Sequence, residues 1–296
     1  MSVPHVQTKQ EIEQLLAAAG VRPRKRCGQN FLIDGNLMRR VAEVADLSPH
    51  DLILEVGPGT GGLTDLLAAG AGSVICVEID TVLLAIMADR FRHLPTVRLI
   101  QGDVLQSKHR IRADVGDAIR SFQGESGGAV KLVANLPYQV ATPLVLNLLV
   151  DFPQVRRLVF TVQAEVGQRL VARPGVKAYG PLAIITQLTC DVETLVRIGL
   201  QSYWPRPAID SVLMRLDRHD SDLIAASALK AFATFVRAVF EHRRKTIRSA
   251  LGYVLDADAR DRVCQDIDAS CRPESFSVRE WVALFHAAQS GEDYHA

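Results

Sequence analysis

Leu52-Ile53-Leu54-Glu55-Val56-Gly57-Pro58-Gly59-Thr60-Gly61-Gly62-Leu63 is the stretch that decides the fold. Five residues suited to a buried strand run into a glycine-rich turn, and Leu63, Leu66 and Leu67 then recur at helical spacing. Gly57, Gly59 and Gly62 satisfy G-x-G-x-x-G in the strand–turn–helix context that gives the pattern meaning. Glycine there lets the backbone turn sharply and come close to a ligand. Glu78 closes the next expected strand, where a carboxylate can accept both hydroxyls of a ribose.

That much is shared by dinucleotide sites and S-adenosylmethionine sites, and three details favour the second. Pro58 removes an amide N–H from the loop, which is unhelpful for cradling a pyrophosphate and harmless for a ligand without phosphates. Glu55, just before the glycines, can order the loop and favour a cationic ligand. Asp103, after the third expected strand, is placed to accept a hydrogen bond from an adenine amine; a plain turn aspartate is the alternative.

Outward from the loop, short apolar runs alternate with amphipathic ones. Strands are expected at Leu52–Val56, Ser73–Ile79, Val97–Gln101, Lys131–Ala134 and Arg157–Val162, with helices near 61–69, 81–92, 142–150 and 164–172. This alternation predicts an α/β fold with a mostly parallel sheet covered on both faces. Two later strands, 190–198 and 210–216, fit an antiparallel closure of the sheet. Upstream, Thr8 and Glu11 have capping-box spacing before a short apolar stripe, and Asp34 can cap a helix carrying Leu37, Val41 and Val44. Residues 121–129 read as a Gly/Ser-rich surface loop. Beyond about residue 220 only helix is expected; Phe232, Phe235, Val236, Val239 and Phe240 form its core stripe, and Arg237, Arg244 and Arg248 share another face of the same helix. The expected division is 1–219, a catalytic domain with an N-terminal extension, and 220–296, a small helical domain.

Asn135-Leu136-Pro137-Tyr138 follows the fourth strand and precedes a helix expected to start at Thr142-Pro143. An amide, a rigid proline and an aromatic ring at a strand end form a grip for a planar amine. The N6 amine of adenine is a poor nucleophile because its lone pair is delocalised into the ring. Acceptors around its N–H bonds, here the Asn135 side chain and the Leu136 carbonyl held by Pro137, favour a pyramidal nitrogen, and Tyr138 can stack on the base. A strong general base is unnecessary, so no reactive His or Cys has to accompany the motif.

Composition narrows the partners. With 48% hydrophobic and 23% charged residues the chain is an ordinary globular protein, with no apolar run of membrane-spanning length and no secretion signal. Cysteines 27, 76, 190, 264 and 271 show no CxxC spacing, and the eight histidines form no ligand pair, so a cytoplasmic protein without a metal is expected. Net charge is only +1, yet Arg22, Arg24, Lys25 and Arg26 form one basic cluster and Arg243, Arg244, Lys245 and Arg248 another. Local clusters on a near-neutral chain suit a polyanion contacted at defined places; solvated surface charge is the plain reading.

Taken together, Arg24 to Leu32, Glu55 to Thr64, Glu78 to Asp80, Gly102-Asp103, Asn135 to Pro143, Phe160 to Glu165, Lys177 to Gly180, Trp204 to Ser211 and Arg243 to Thr246 resemble the small-subunit ribosomal RNA adenine N6,N6-dimethyltransferase family. The likeness spans roughly 20–255. It implies a Rossmann-like S-adenosylmethionine-dependent methyltransferase domain with a small all-helical C-terminal domain. It also implies dimethylation of two adjacent adenosines near the 3′ end of small-subunit rRNA, by a monomer acting on an assembling subunit and not on a membrane. By the same resemblance Gln29, Asn30, Leu32, Gly57, Gly59, Glu78, Asp103 and Asn135 bind the cofactor. Asn135, Leu136, Pro137, Tyr138 and Phe160 hold the target base, and the two basic clusters bind RNA. Cys27, Thr161, Ala164, Trp204 and Arg206-Pro207-Ala208 depart from the family pattern at substrate-side or packing positions. Three rivals stay open: a large-subunit rRNA adenine methyltransferase, a non-catalytic RNA-binding factor of the same fold, and a dinucleotide oxidoreductase.

Overall fold

The computed structural model describes residues 5–24, 29–124, 127–219 and 222–289. Seven strands form its main sheet: β1 Leu52–Val56, β2 Ser73–Glu78, β3 Val97–Gln101, β4 Val130–Asn135, β5 Val155–Gln163, β6 Cys190–Ile198 and β7 Ser211–Arg218, in the order β3-β2-β1-β4-β5-β7-β6. β1 to β5 are parallel, and β7 runs antiparallel to β5, pairing Ser211 with Gln163 and Met214 with Phe160. Every residue of β1 is buried, as expected of a central strand covered on both faces. The chain order reverses between β1 and β4, so ligands are expected beyond the C-terminal ends of these strands.

The helices are α1 Lys9–Ala18, α2 Gly35–Ala45, α3 Gly62–Gly70, α4 Thr81–Phe91, α5 Ala113–Ser121, α6 Tyr138–Asp151, α7 Ala164–Leu170, α8 Pro181–Thr189, α9 Leu229–Glu241, α10 Ile247–Leu251, α11 Ala257–Val263 and α12 Val278–Gln289. The Thr8/Glu11 capping box is formed, and Asp34 caps α2 through Asn36 and Leu37 N–H groups. α2 and α3 bury Met38, Val41, Leu63 and Leu67 in one cluster with Ile53, Val74 and Val133. Each such side chain stabilises the fold by ~1.5–3 kcal/mol. At the opposite strand ends lies a buried ion pair, Lys131 Nζ to Asp51 Oδ2 at 2.7 Å, with Asp51 also accepting from Ala129 and Ser48 N–H.

The chain divides into two compact units. One comprises 1–148, 152–167 and 192–218; the other comprises 149–151, 168–191 and 219–296, so it draws α8 from the middle of the chain. The second unit has its own core, in which Phe235, Phe240 and Phe276 surround the fully buried Trp281. Among the described residues beyond 222, regular structure is helical only.

Several local expectations change. The later strand, β7, is inserted between β5 and β6, an order set by packing across the sheet. α5 and α8 were not anticipated. α6 starts at Tyr138 and not at Thr142, with Pro137 as its N-cap and Pro143 inside it. Pro143 is the sixth residue of α6, so the intrahelical N–H bond to the Gln139 carbonyl is missing at that turn. α9 stops at Glu241, and a new helix is capped by Thr246, whose hydroxyl accepts from Ser249 N–H. Arg244 and Arg248 therefore do not share a helix with Arg237; Arg244 lies in the turn between α9 and α10.

Candidate active site

The glycine turn begins where β1 ends. Gly57, Gly59 and Gly61 all have positive φ (70°, 63° and 88°), the conformation that L side chains resist. At Gly57 close packing adds to this: a Cβ would stand 2.8 Å from Pro137 Cγ. At Gly59 it would stand 3.0 Å from Phe31. Thus three segments far apart in sequence, 29–32, 57–62 and 135–138, close on one another, and all three line a single cleft with Glu78.

The β2 end supplies acids. Glu78 is 5% exposed; Gly59 N–H donates to its Oε2 (3.3 Å) and Asp80 N–H to its Oε1 (2.9 Å). Burial raises its pKa, while the Asp80 and Gly59 amides pull the other way. Asp80 caps α4 through Oδ1, and its Oδ2 takes Gln29 Nε2 at 2.9 Å and Arg24 at 3.2 Å. This ties the 29–32 segment to the end of β2. Glu55 lies deeper: its Oε2 accepts from Thr64 Oγ1 (2.6 Å) and Cys76 Sγ (3.5 Å), and burial pushes its pKa up to about 7.

Asn135 is the last residue of β4. Its Nδ2 donates to the Asn30 carbonyl at 3.2 Å, and its Oδ1 accepts from the Thr161 hydroxyl. The carboxamide is thereby held at both ends, with its oxygen keeping one further lone pair. Leu136 is buried and its N–H donates to Thr161 O, while Pro137 and Tyr138 are half-buried at the cleft wall.

Gln29, Asn30, Leu32, Gly57, Gly59, Glu78, Asn135, Leu136, Pro137 and Tyr138 all line the cleft. Two expected site residues do not. Phe160 is fully buried in β5, with Ala134 and Met214 as cross-strand neighbours. Asp103 is exposed, and its Oδ1 accepts from Leu105 N–H (2.9 Å) in a local turn. Of the first basic cluster, Arg22 is exposed and Arg24 is paired with Asp80; Lys25 and Arg26 lie outside the described residues, as do Cys27 and Gly28. In the second, Arg243 donates to Lys177 O (3.0 Å) and Arg248 pairs with Asp261 (2.7 Å), while Arg244 and Lys245 are exposed.

The structure adds cleft residues that no motif pointed to. Gln7 is 3% exposed and its Oε1 accepts from Thr60 Oγ1 at 2.8 Å, bracing the glycine turn. Tyr203 enters because Leu32 and Tyr203 pair in a two-stranded ribbon, Phe31–Leu32 with Tyr203–Trp204. Only the buried, aromatic character of Tyr203 could have signalled it. Among the described residues no cluster of His, Cys, Asp or Glu could hold a metal ion, and no helix is long and apolar enough to cross a membrane.

The cleft residues fit S-adenosylmethionine: positive-φ glycines leave space beside the buried Glu78 carboxylate, and Pro58 adds no phosphate-seeking N–H. A family model described as ribosomal RNA adenine dimethylase matches residues 20–290. The ribosomal RNA small subunit methyltransferase A of Moorella thermoacetica is 39% identical over 283 residues, covering 93% of this chain and 96% of that protein. Its namesake from Streptomyces griseus is 38% identical over 277 residues, covering 93% and 92%. Among solved structures, a dimethyladenosine transferase from Plasmodium falciparum superposes with TM-score 0.66 at 21% identity, covering 86% of this chain and 95% of that one. The 23S rRNA methyltransferase ErmE does so with TM-score 0.61 at 23% identity, covering 88% and 99%. At those identities the structures speak for the fold, a Rossmann-like methyltransferase sheet, and the two sequence relatives speak for the family. The chain belongs to the ribosomal RNA adenine dimethylase family.

Proposed function

We propose that this protein dimethylates the N6 amines of two adjacent adenosines near the 3′ end of small-subunit (16S) rRNA, using S-adenosylmethionine. The observation that carries the reading is the packing of Gly57 against Pro137, which joins the cofactor-type glycine turn to the amine clamp in one cleft. S-adenosylmethionine, when bound, supplies an electrophilic methyl group. The chain's own residues do the rest. Glu78 accepts the ribose hydroxyls, Asn30 and Leu32 with the Gly57–Gly59 turn enclose the remainder, and Glu55 ties the end of β1 to Thr64 of α3.

Asn135 Oδ1 offers its remaining lone pair to one N–H of the target amine, and the Leu136 carbonyl takes the other. The bond from Thr161 and the bond to Asn30 stop the carboxamide from turning its nitrogen toward that amine. Tyr138, at the first position of α6, stacks on the base. Such stacking contributes ~1–3 kcal/mol, whereas alignment for attack lowers the barrier by ~7–11 kcal/mol. Positioning is therefore the larger effect, and water suffices to take the proton that the methylated amine sheds.

We assign Arg22, Arg24, Lys25, Arg26, Arg243, Arg244, Lys245 and Arg248 to the RNA backbone; of those described, Arg22, Arg244 and Lys245 are exposed and the most available. A monomer working in the cytoplasm on an assembling small subunit completes the reading. Primer extension across small- and large-subunit rRNA from a deletion strain tests it. Loss of the paired small-subunit marks is expected; loss of large-subunit marks alone would overturn the assignment.

A further inference from the structure

The rings of His242 and Tyr253 stack with centroids 3.8 Å apart and planes 14° from parallel, while Tyr253 stays 63% exposed. Both ends of the stack are fixed by backbone. His242 closes α9, its N–H bonded to Val239 O, and Tyr253 N–H bonds to Ala250 O just past α10. One face of the tyrosine is therefore covered by imidazole and the ring is held flat toward solvent. An exposed aromatic held in this way loses little rotamer entropy when something lands on it.

The surroundings say what would land. Arg244 and Lys245 follow His242 in the same turn, both exposed, and among the described residues neither side chain has a salt bridge or hydrogen bond. On the Tyr253 side, Arg248 and Arg260 share the single carboxylate of Asp261 (2.7 and 3.2 Å), which leaves one positive charge over. Arg260 also reaches the backbone beside the ring, where a Cβ on Gly252 would stand 3.5 Å from its Nη1. A flat π-face accompanied by two unpaired cations and by two arginines that share one carboxylate fits an unpaired nucleobase with its flanking phosphates.

We propose that the His242–Tyr253 stack is an RNA platform that takes one unpaired base of the substrate, distinct from the adenines held by Asn135. This rests on the rRNA reading above. The test is filter binding of deproteinised small-subunit rRNA by the full-length protein at several salt concentrations. Tyr253→Ala should weaken binding about 5- to 150-fold, the ~1–3 kcal/mol of one stacked base at ~1.4 kcal/mol per tenfold, with the salt slope unchanged. Tyr253→Phe should bind like wild type. S-adenosylhomocysteine affinity by calorimetry should not move in either variant, which separates the effect from misfolding. Wild-type affinity in Tyr253→Ala overturns the platform, as does a loss seen only when ribosomal proteins are present, which would mark a protein contact. Neither result touches the function reading, which is tested separately by methylation of small-subunit rRNA by the wild-type protein.

Discussion

The cleft and the turn between α9 and α10 treat their polar residues in opposite ways. In the cleft Asn135 is engaged at both ends and Glu78 by two amides, and Asp80 next to them is held by Gln29, Arg24 and the start of α4. In the turn, Arg244 and Lys245 stand exposed. Alignment to a fraction of an ångström needs side chains whose orientation is fixed before the substrate arrives. Attraction of a polyanion needs only charge at the surface, and works through released counterions. The difference predicts that substitutions in the two places fail in different ways.

The largest effect should come from Asn135→Ala, which removes the acceptor proposed for the target amine. Methyl incorporation from labelled cofactor should fall by at least about a hundredfold, with rRNA binding unchanged; persistent activity would break the mechanism. Glu78→Gln comes next. Losing the charge proposed to meet the ribose should weaken S-adenosylhomocysteine binding by about 10- to 150-fold, the ~1.5–3 kcal/mol of a charge-assisted hydrogen bond, as read by calorimetry. Gly57→Ala places a Cβ 2.8 Å from Pro137 at φ 70°. The left-handed conformation alone costs ~1–2 kcal/mol, so the unfolding midpoint should drop by several degrees, roughly 2–4 °C per kcal/mol for a chain of this size.

Glu55 gives a pH signature. Its folded-state pKa of about 7 lies above the ordinary 4.5, so the folded protein holds a proton that the unfolded chain has lost. The stability it contributes is complete below pH 4.5 and is lost as pH rises through 7. Denaturant titrations should show unfolding free energy falling across that window, and Glu55→Gln should remove the fall. The smallest effect belongs to the turn. Arg244→Ala with Lys245→Ala should make the log-affinity versus log-salt slope for rRNA shallower by roughly 1–2, with cofactor affinity untouched. An unchanged slope would end their assignment to the backbone.

How far the sequence reached follows from which interactions are local. β1 and β3 fell where their apolar runs placed them, and the Thr8 and Asp34 caps formed, because each depends on neighbours a few residues away. The insertion of β7 beside β5 depends on pairing across the sheet, which no run of residues encodes. The end of α9 was missed because Arg243 to Lys245 are good helix formers; Thr246 stops the pattern by capping the next helix. In the cleft the motif residues converged, but Thr161 on Asn135 and Gln7 on Thr60 join positions 26 and 53 apart. Phe160 and Asp103 carried sequence signals that the fold uses for packing and for a turn.

One cleft is proposed to couple the glycine turn to a clamp for adenine amines of small-subunit rRNA. Mass spectrometry of nuclease-digested small-subunit rRNA, taken from a strain lacking the protein and incubated with purified protein and labelled S-adenosylmethionine, tests it most directly. Label is expected in N6,N6-dimethyladenosine at two adjacent positions near the 3′ end, and none with Asn135→Ala. Label confined to large-subunit rRNA, or on any atom other than adenine N6, would contradict it.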